Sequence, residues 1–327
     1  MSMDIRKVIS SVAESLFQEK HRSSGSEEGS IFKSEALKGG DKSNSLSIIK
    51  HTIDLKRLSF IEKSWKSSDD REYLINMRFL GVSEDLNGAW HLARFPRVYI
   101  VEDNDDYCSS VTRFISGNNF TLNEGNSFNI GYALGEIPRE LGKLFPEKSP
   151  FDRGRVRKLV LEGSDLPNEM YQSDALRIRQ IVDKFNSSGD AIMSWRKATN
   201  RGFCHNDVKG ENLIEAISIN SHSFYYFLDW AAGGWDSLGS DIGGLLYSKI
   251  FFDDGIGEDC SDIIRNTVSG FIEGAGIKDD AKVREELMLA ANLHFVIRFF
   301  PWAVSSSRKD LLSSVLKRAE HLYEVFR

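Results

Sequence analysis

Residues 204–217, CHNDVKGENLIEAI, place an acid, a cation and an amide within a few positions of one another. Asp207 precedes Asn212 by five residues, and Asn212 begins an apolar run that is typical of a β-strand. Magnesium takes oxygen ligands and is usually held in proteins by one or two carboxylates together with substrate phosphates. The stretch could therefore hold a metal ion, or its acid could take a proton, and the neighbouring elements decide which.

The residues that follow predict a β-hairpin. NLIEAISI (212–219) and SFYYFLDW (223–230) have the composition of strands, and the three residues between them suit a tight reversal. Since the open ends of an antiparallel hairpin lie side by side, Asn212 and Asp229 should converge, with Asp207 next to them. We expect Asn212 and Asp229 to share a cation, and we expect Asp207 to orient a hydroxyl group and take its proton.

Two regions of different pattern must position these groups. The first region has strand-like runs that predict a small antiparallel sheet, with strands at 45–53, 58–65, 97–103 and 109–115. It also has a segment with a Ser/Asp start and a closing Gly, which predicts a helix at 67–81. The second is mostly helical, with helices predicted at 129–144, 173–187, 189–199, 241–252, 260–274, 279–299 and 308–326. We predict three segments: a helix and polar connector in 1–30, a β-rich lobe in 31–116, and a helical lobe in 117–327.

Composition excludes several classes of protein. The formal net charge of −6 argues against generic nucleic-acid binding, which needs a basic surface. No apolar run approaches the ~18 residues of a membrane span, and the N-terminal residues carry charges inside their apolar pattern, unlike a signal peptide. The three cysteines, far apart and odd in number, fit neither a disulfide framework nor a zinc site. We expect a cytoplasmic protein with no nucleic-acid or membrane partner, and the sequence predicts no oligomeric state.

The pattern H-x-D-x-x-x-x-N in residues 205–212, followed by an apolar-Asp-Trp, resembles the eukaryotic-protein-kinase-like fold. Within that fold the chain is most similar to the aminoglycoside phosphotransferase and choline kinase superfamily. The stretch FLDWAAGGWDSLGSDIGGLL (227–246) carries the distinction, because Asp241 opens a helix twelve residues after Asp229. The Asp-Phe-Gly and Ala-Pro-Glu of protein kinases are absent. The resemblance implies an α+β, bilobal protein-kinase-like fold, with a small antiparallel β-sheet lobe and a larger, mostly helical lobe.

The resemblance also implies a nucleotide site for ATP or GTP with Mg²⁺ in the cleft between the lobes. LKGGDKSNSLSIIK (37–50) looks like the superfamily's nucleotide loop, whose glycines let backbone N–H groups approach phosphates closely. In the superfamily a lysine contacts the α- and β-phosphates and pairs with a glutamate, and the segment matching 109–120 receives adenine through its backbone. The implied nucleotide-binding residues are Gly39, Gly40, Ser43, Asn44, Lys63, Glu72, Thr112 and Phe114.

The reaction implied is transfer of the γ-phosphoryl group to a hydroxyl of a small molecule, which could be aminoglycoside-like, an amino alcohol or a sugar. Asp207 would be the catalytic base, Asn212 and Asp229 would hold the metal, and His205 would brace the loop by hydrogen bonding. The superfamily usually has His-Gly-Asp followed by Leu-His, whereas this chain has Asn206 and later Lys209. Protein kinases carry a lysine at the latter position.

Several alternatives stay open. Lys209 could neutralise charge on the transferred phosphoryl group or only form a surface salt bridge, and the first reading keeps an atypical protein kinase possible. A non-catalytic module that binds nucleotide or a partner is a second alternative. Asp241 could cap its helix or brace a loop. Lys50, Lys56 and Lys66 are alternatives to Lys63 as the phosphate-binding lysine, and Asp69 and Asp70 are alternatives to Glu72 as its partner. The acidic run in 253–262 could be a solvated loop or could attract a cationic substrate. Residues 299–303 could pack in the core or line an acceptor pocket.

Overall fold

A computed structural model describes residues 32–36, 45–53, 58–66, 70–103, 107–147, 180, 183, 187, 189–217, 223–252, 261–305 and 309–326, and the structural statements below concern these residues. They form two compact units. The first contains the described residues up to Asn87 together with Phe95–Ser116. The second contains Gly88–Arg94 and the described residues from Gly117 onward.

The elements follow in chain order. The strands are β1 (Phe32–Ala36), β2 (Ser45–Ile53), β3 (Leu58–Lys66), β4 (Ala93–Arg94), β5 (Val98–Asp103), β6 (Tyr107–Arg113), β7 (Asn118–Asn119), β8 (Arg201–Cys204), β9 (Leu213–Ile217), β10 (Ser223–Phe227) and β11 (Gly234–Ser237). The helices are α1 (Asp70–Ala89), α2 (Glu124–Leu144), α3 (Gly189–Ala198), α4 (Ser240–Phe252), α5 (Ser261–Ala275), α6 (Ala281–Ser305) and α7 (Lys309–Phe326).

The first unit contains a five-stranded antiparallel sheet in the order β1-β2-β3-β6-β5. The four predicted strands are confirmed to within two residues at each end. The predicted helix ends too early at Gly81, because α1 continues to Ala89. Ser83 and Leu86 are buried in the added turns, so packing offsets the helix cost of a glycine, about 1 kcal/mol.

The second unit is mostly helical, and its helices α2 and α5 pack at very close range. Each helix carries two glycines four residues apart on the shared face, Gly131 and Gly135 in α2 and Gly270 and Gly274 in α5. A Cβ atom at Gly135 would lie 2.2 Å from the Phe271 carbonyl oxygen, and one at Gly274 would meet a backbone oxygen at 2.1 Å. Only glycine fits such a contact between helix backbones.

Helices α4 and α6 meet in the same way. A Cβ atom at Gly243 would lie 2.3 Å from the carbonyl oxygen of Ala291, and one at Gly239 would lie 2.5 Å from that of Leu287. Gly239 has a φ of 95°, a conformation that glycine adopts without strain. Because α4 and α6 each supply a residue to the site described below, this close contact fixes their separation there.

A buried carboxylate ties the Gly88–Arg94 segment to the second unit. Glu136 in α2 is fully buried, and its carboxylate accepts the backbone N–H groups of His91 at 2.6 Å and of Leu92 and Ala93 at 2.9 Å each. The segment then adds β4 to a four-stranded sheet in the order β4-β10-β9-β7. The strands β1, β4, β7, β8 and β11 were not predicted from the sequence, because strands of two to five residues are too short to show a clear period.

The other predicted helices in the second unit are confirmed, apart from 173–187, of which only residues 180, 183 and 187 lie within the described part of the chain. The helix predicted within 1–30 lies outside it. Among the described residues, no helix is both long enough and apolar enough to span a membrane.

Candidate functional site

The loop after β8 is held in place by a carboxylate from α4. Asp241, in the first turn of α4, accepts the backbone N–H of His205 at 2.8 Å and that of Asn206 at 2.7 Å. Burial raises the pKa of Asp241 to about 7, while the two N–H donors act in the opposite direction. Of the two roles predicted for Asp241, the contacts are those of a loop brace.

His205 joins this loop to the β9–β10 hairpin. Its Nδ1 accepts the backbone N–H of Asp207 at 3.3 Å, so the proton resides on Nε2, which donates to the Leu228 carbonyl oxygen at 2.8 Å. Burial lowers the pKa of His205 and so favours the neutral ring, which packs against Trp230 with centroids 4.5 Å apart. These contacts are the ones that a bracing histidine requires.

Asn206 occupies the position where the superfamily usually has glycine, and its conformation explains why asparagine is accepted. Its φ is 62°, in the left-handed region that asparagine adopts more readily than most residues. The side-chain amide donates to the Gly234 carbonyl oxygen at 3.1 Å, which attaches the loop to β11. Asn206 therefore provides a left-handed turn that glycine would also adopt.

The hairpin places the backbones of Asn212 and Asp229 near each other at its open end. Leu213 pairs with Phe227 at the open end of the hairpin, and the next backbone N–H, that of Leu228, donates to the Asn212 carbonyl oxygen at 2.9 Å. Asp229 follows directly with an exposed side chain and a φ of 57°.

Asp207 lies against this hairpin end. The Asn212 amide nitrogen donates to the Asp207 carbonyl oxygen at 2.9 Å. The other polar atom of the Asn212 side chain is the amide oxygen Oδ1, which is an acceptor. The negative charges of Asp207 and Asp229 both raise the pKa of His205, against the larger effect of burial. Both carboxylates are therefore within electrostatic reach of one imidazole ring.

Sequence reasoning missed one charged group at this site, Arg298 in α6. Its Nη2 forms an ion pair with the Asp207 carboxylate, and its Nη1 donates to the Asn206 carbonyl oxygen at 3.3 Å. The arginine side chain is 36% exposed and the aspartate side chain 15%. The only sequence signal was an isolated cation in the apolar stretch FVIRFF (295–300), 91 residues from its partner.

Lys209 forms the surface salt bridge that was one of its two predicted roles. Its Nζ lies 3.4 Å from Glu211 Oε2, and the two side chains are 39% and 82% exposed. Exposed pairs of this kind contribute about 0–1 kcal/mol, so the contact does little to fix the lysine.

The predicted nucleotide-binding residues that the structure describes all belong to the first unit. Lys63 lies in the central strand β3, opposite Ile48 and Ser110, and its side chain is partly buried. Thr112 lies in β6, and the backbone N–H of Phe114 donates to the Ser59 carbonyl oxygen at 2.9 Å.

Other predicted residues can be placed only in part. Glu72 lies in the first turn of α1, and its side chain is outside the described part. Gly39, Gly40, Ser43 and Asn44 lie wholly outside it, as do residues 253–260 of the acidic run. Asp262 at the end of that run pairs with Arg265 at 2.7 Å. The backbone of 299–303 belongs to α6, without described side chains.

Within the described ranges, no group of three or more His, Cys, Asp or Glu side chains has the arrangement of a metal site. The pair proposed from the sequence, an amide and a carboxylate, is a smaller set. Its oxygen donors nonetheless have the chemistry that a hard cation such as Mg²⁺ prefers.

No protein-family model matches the sequence, and no curated protein matches it either. Solved structures do resemble the fold. An amicoumacin kinase in complex with AMP-PNP, Ca²⁺ and Ami has a TM-score of 0.61 and 14% identity, over 89% of this chain and 88% of that one. The GDP complex of wild-type aminoglycoside 2′-phosphotransferase-IIIa has a TM-score of 0.54 and 10% identity, over 97% and 98%. An ethanolamine kinase from Plasmodium vivax has a TM-score of 0.51 and 13% identity, over 90% and 83%.

These similarities confirm the fold predicted from the sequence. The chain has the α+β, protein-kinase-like fold that these kinases and phosphotransferases have.

Proposed function

We propose that the protein transfers the γ-phosphoryl group of ATP, or of GTP, to a hydroxyl group of a small molecule. The observation that supports this most is the chain of hydrogen bonds through Asp207, Asn212 and Leu228, which draws two carboxylates and an amide to one end of a hairpin. Further support comes from the shared fold, because the similar structures are kinases and phosphotransferases named for small molecules.

Asp207 is the proposed catalytic base. Its backbone is held on both sides, by His205 at the N–H and by Asn212 at the carbonyl oxygen, so the carboxylate is presented from a braced position. The acceptor hydroxyl would donate its hydrogen bond to this carboxylate. As the hydroxyl oxygen bonds to the γ-phosphorus, the bond from that phosphorus to the β–γ bridging oxygen breaks, the hydroxyl proton passes to Asp207, and the nucleoside diphosphate leaves.

Asn212 and Asp229 would hold Mg²⁺ through the amide oxygen and the carboxylate, with further ligands from the phosphates. When bound, the metal would neutralise charge on the transferred group. Asn212 also donates to Asp207, so one side chain links the metal-binding position to the backbone of the base. This double use accounts for an amide at a position where a second carboxylate would lack the donor.

The nucleotide-binding roles stay as the resemblance implied them. Lys63 would bind the α- and β-phosphates and pair with Glu72, and the backbone around Thr112 and Phe114 would receive the base. The loop residues Gly39, Gly40, Ser43 and Asn44 would donate to phosphate oxygens. Support for Lys63 is its place in the central strand, where neighbours on both sides fix the backbone.

Replacing Asp207 by asparagine tests the proposal, because it keeps the shape of the side chain and removes the base. We expect the rate of nucleoside diphosphate release with Mg·ATP and a hydroxyl acceptor to fall ~10²–10⁴-fold, with ATP binding retained. Asp229→Asn should reduce the rate at least as much, because it removes a proposed metal ligand.

Asp262→Asn is the matched control, since Asp262 also pairs with an arginine but lies at the exposed start of α5. Its rate should equal that of the parent protein. Equal rates in the parent and in the Asp207 variant would exclude Asp207 as the base. Bound nucleotide with no turnover across a panel of hydroxyl acceptors and generic protein substrates would support a binding module instead.

A further inference from the structure

The cation next to the proposed base is the feature that the proposed reaction leaves unexplained. Arg298 contacts the loop at two points, the Asp207 carboxylate and the Asn206 carbonyl oxygen. Phosphoryl transfer requires the carboxylate to accept a proton from the hydroxyl. A guanidinium group paired with it must therefore lie close to whatever carries that hydroxyl.

The position of Arg298 is fixed by the scaffold on both sides of the pair. Its helix, α6, is in backbone contact with α4 at Gly243 and Ala291, and α4 holds the loop through Asp241. Arg298 therefore extends from α6, Asp207 extends from the loop that α4 holds, and α4 and α6 are in backbone contact. A pair built in this way differs from the neighbouring exposed pair of Lys209 and Glu211.

The guanidinium group retains donors toward solvent. An arginine carries five N–H groups, and the two contacts above use one from Nη1 and one from Nη2. The side chain is 36% exposed, so a ligand that reaches Asp207 also reaches the arginine. Planar N–H donors of this kind match the oxygens of a carboxylate or a phosphate.

The charges around the pair determine which acceptor is favoured. An unpaired Asp207 would attract an ammonium group, but Arg298 cancels that attraction. Asp229 is the other carboxylate facing His205, and in the proposed reaction its charge is taken up by the metal. Glu211 is paired with Lys209. A substituent beside the reactive hydroxyl would thus lie next to a guanidinium group that has unused donors.

We propose that Arg298 determines specificity, so that the acceptor carries an oxyanion, a carboxylate or a phosphate, close to the hydroxyl that is phosphorylated. The inference rests on the proposed function and narrows its substrate class. A polycationic acceptor such as an aminoglycoside is disfavoured, because its ammonium groups would lie within ~4–6 Å of the guanidinium charge. At an effective dielectric constant of about 20, that repulsion would be about 3 kcal/mol, or roughly 100-fold, and the neighbouring Asp207 carboxylate offsets part of it, so we expect a cation to be disfavoured roughly 10-fold.

The test uses two series of acceptors that differ only in the charged substituent. Glucuronate, glucose and glucosamine form one series, and glycerate, glycerol and 3-aminopropane-1,2-diol form the other. The measured quantity is kcat/KM for nucleoside diphosphate release, expressed as the ratio of the anionic to the cationic acceptor in each series. We expect this ratio to be at least ~10 in the parent protein and to fall with added salt.

Substitutions then assign the ratio to Arg298. Arg298→Gln should bring it down to about one or below, and Arg298→Lys should retain part of the preference, because the charge stays while the planar donors are lost. Arg284→Gln is the control: Arg284 lies on the same helix and also pairs with an aspartate, Asp279, at 2.6 Å. The control should leave the ratio unchanged. The ratio is taken within each variant, so a general loss of activity does not affect it.

The outcomes separate this inference from the function beneath it. Turnover with a ratio below one in the parent protein overturns the inference and leaves the kinase function standing, even if Arg298→Gln fails to fold. An unchanged ratio in a folded, active Arg298→Gln protein overturns it as well. Nucleotide binding without turnover of any acceptor overturns the kinase function and removes the premise of the inference.

Discussion

Replacing Gly243 by alanine examines whether the backbone contact between α4 and α6 positions the site. The new Cβ atom would lie 2.3 Å from the Ala291 carbonyl oxygen and 2.9 Å from two further backbone atoms of that residue. Ordinary contacts of a Cβ atom begin at about 3.4 Å, so the helices must separate by roughly 1 Å. Overpacking of this size costs about 1–3 kcal/mol, against a helix-propensity gain of up to about 1 kcal/mol from replacing glycine.

We expect Gly243→Ala to lower the free energy of unfolding in urea by about 1–2 kcal/mol. It should also weaken the preference for anionic acceptors, because Arg298 moves with α6. The matched variant is Gly81→Ala, since Gly81 lies inside α1 and has no atom within 4 Å of a new Cβ. That change should be stabilising by about 0.5–1 kcal/mol. Equal stability of both variants would refute the argument that backbone contact sets the helix separation.

Two further predictions concern buried carboxylates. The pKa of Asp241 is raised by burial to about 7 from an unfolded value of about 3.9, so between these values the folded chain holds a proton that the unfolded chain releases. The contribution of Asp241 to the free energy of unfolding should therefore be largest near pH 4 and fall by up to about 1.4 kcal/mol per pH unit until pH 7. Urea unfolding at a series of pH values should show this slope in the parent protein but not in Asp241→Asn. Identical pH profiles of the two proteins would contradict the prediction. Glu136→Ala would leave three N–H groups of the Gly88–Arg94 segment without their acceptor, and should lower the free energy of unfolding by about 3 kcal/mol or more. A Glu140→Ala control should change the free energy of unfolding little, because Glu140 forms ion pairs with Arg139 and with the exposed Lys143, and pairs of this kind contribute about 0–1 kcal/mol.

The hairpin geometry was predictable because it depends on local pattern. Two apolar runs separated by three residues determine an antiparallel pair, and the pair then determines that Asn212 and Asp229 are neighbours. The resemblance of 205–212 and 227–246 to one superfamily supplied the fold, because both stretches have characteristic spacing. Information of this kind is contained in short segments of sequence.

Arg298 and Glu136 were not predictable for the opposite reason. Each acts on residues far away in the chain, 91 positions for Arg298 and Asp207 and 43 to 45 for Glu136 and its three N–H donors. A single charged residue in an apolar helix indicates that it needs a partner, but not which one. The end of α1 was missed for a related reason. Gly81 suggests that the helix stops there, whereas the burial of Leu86 in the folded protein stabilises the turns beyond it.

Backbone conformation gives an independent reason to look for function at this site. In the described part of the chain, the two non-glycine residues with positive φ are Asn206, which precedes the proposed base, and Asp229, which is itself a proposed metal ligand. Glycine would adopt either conformation more easily, so the side chains must offset the strain. Asn206 does so through its bond to Gly234. The Asp229 side chain is exposed, so the chain keeps an ionisable group at a left-handed position next to the Asn212 backbone. The proposed role of Asp229 as a metal ligand would account for an aspartate at a position whose backbone glycine would adopt more easily.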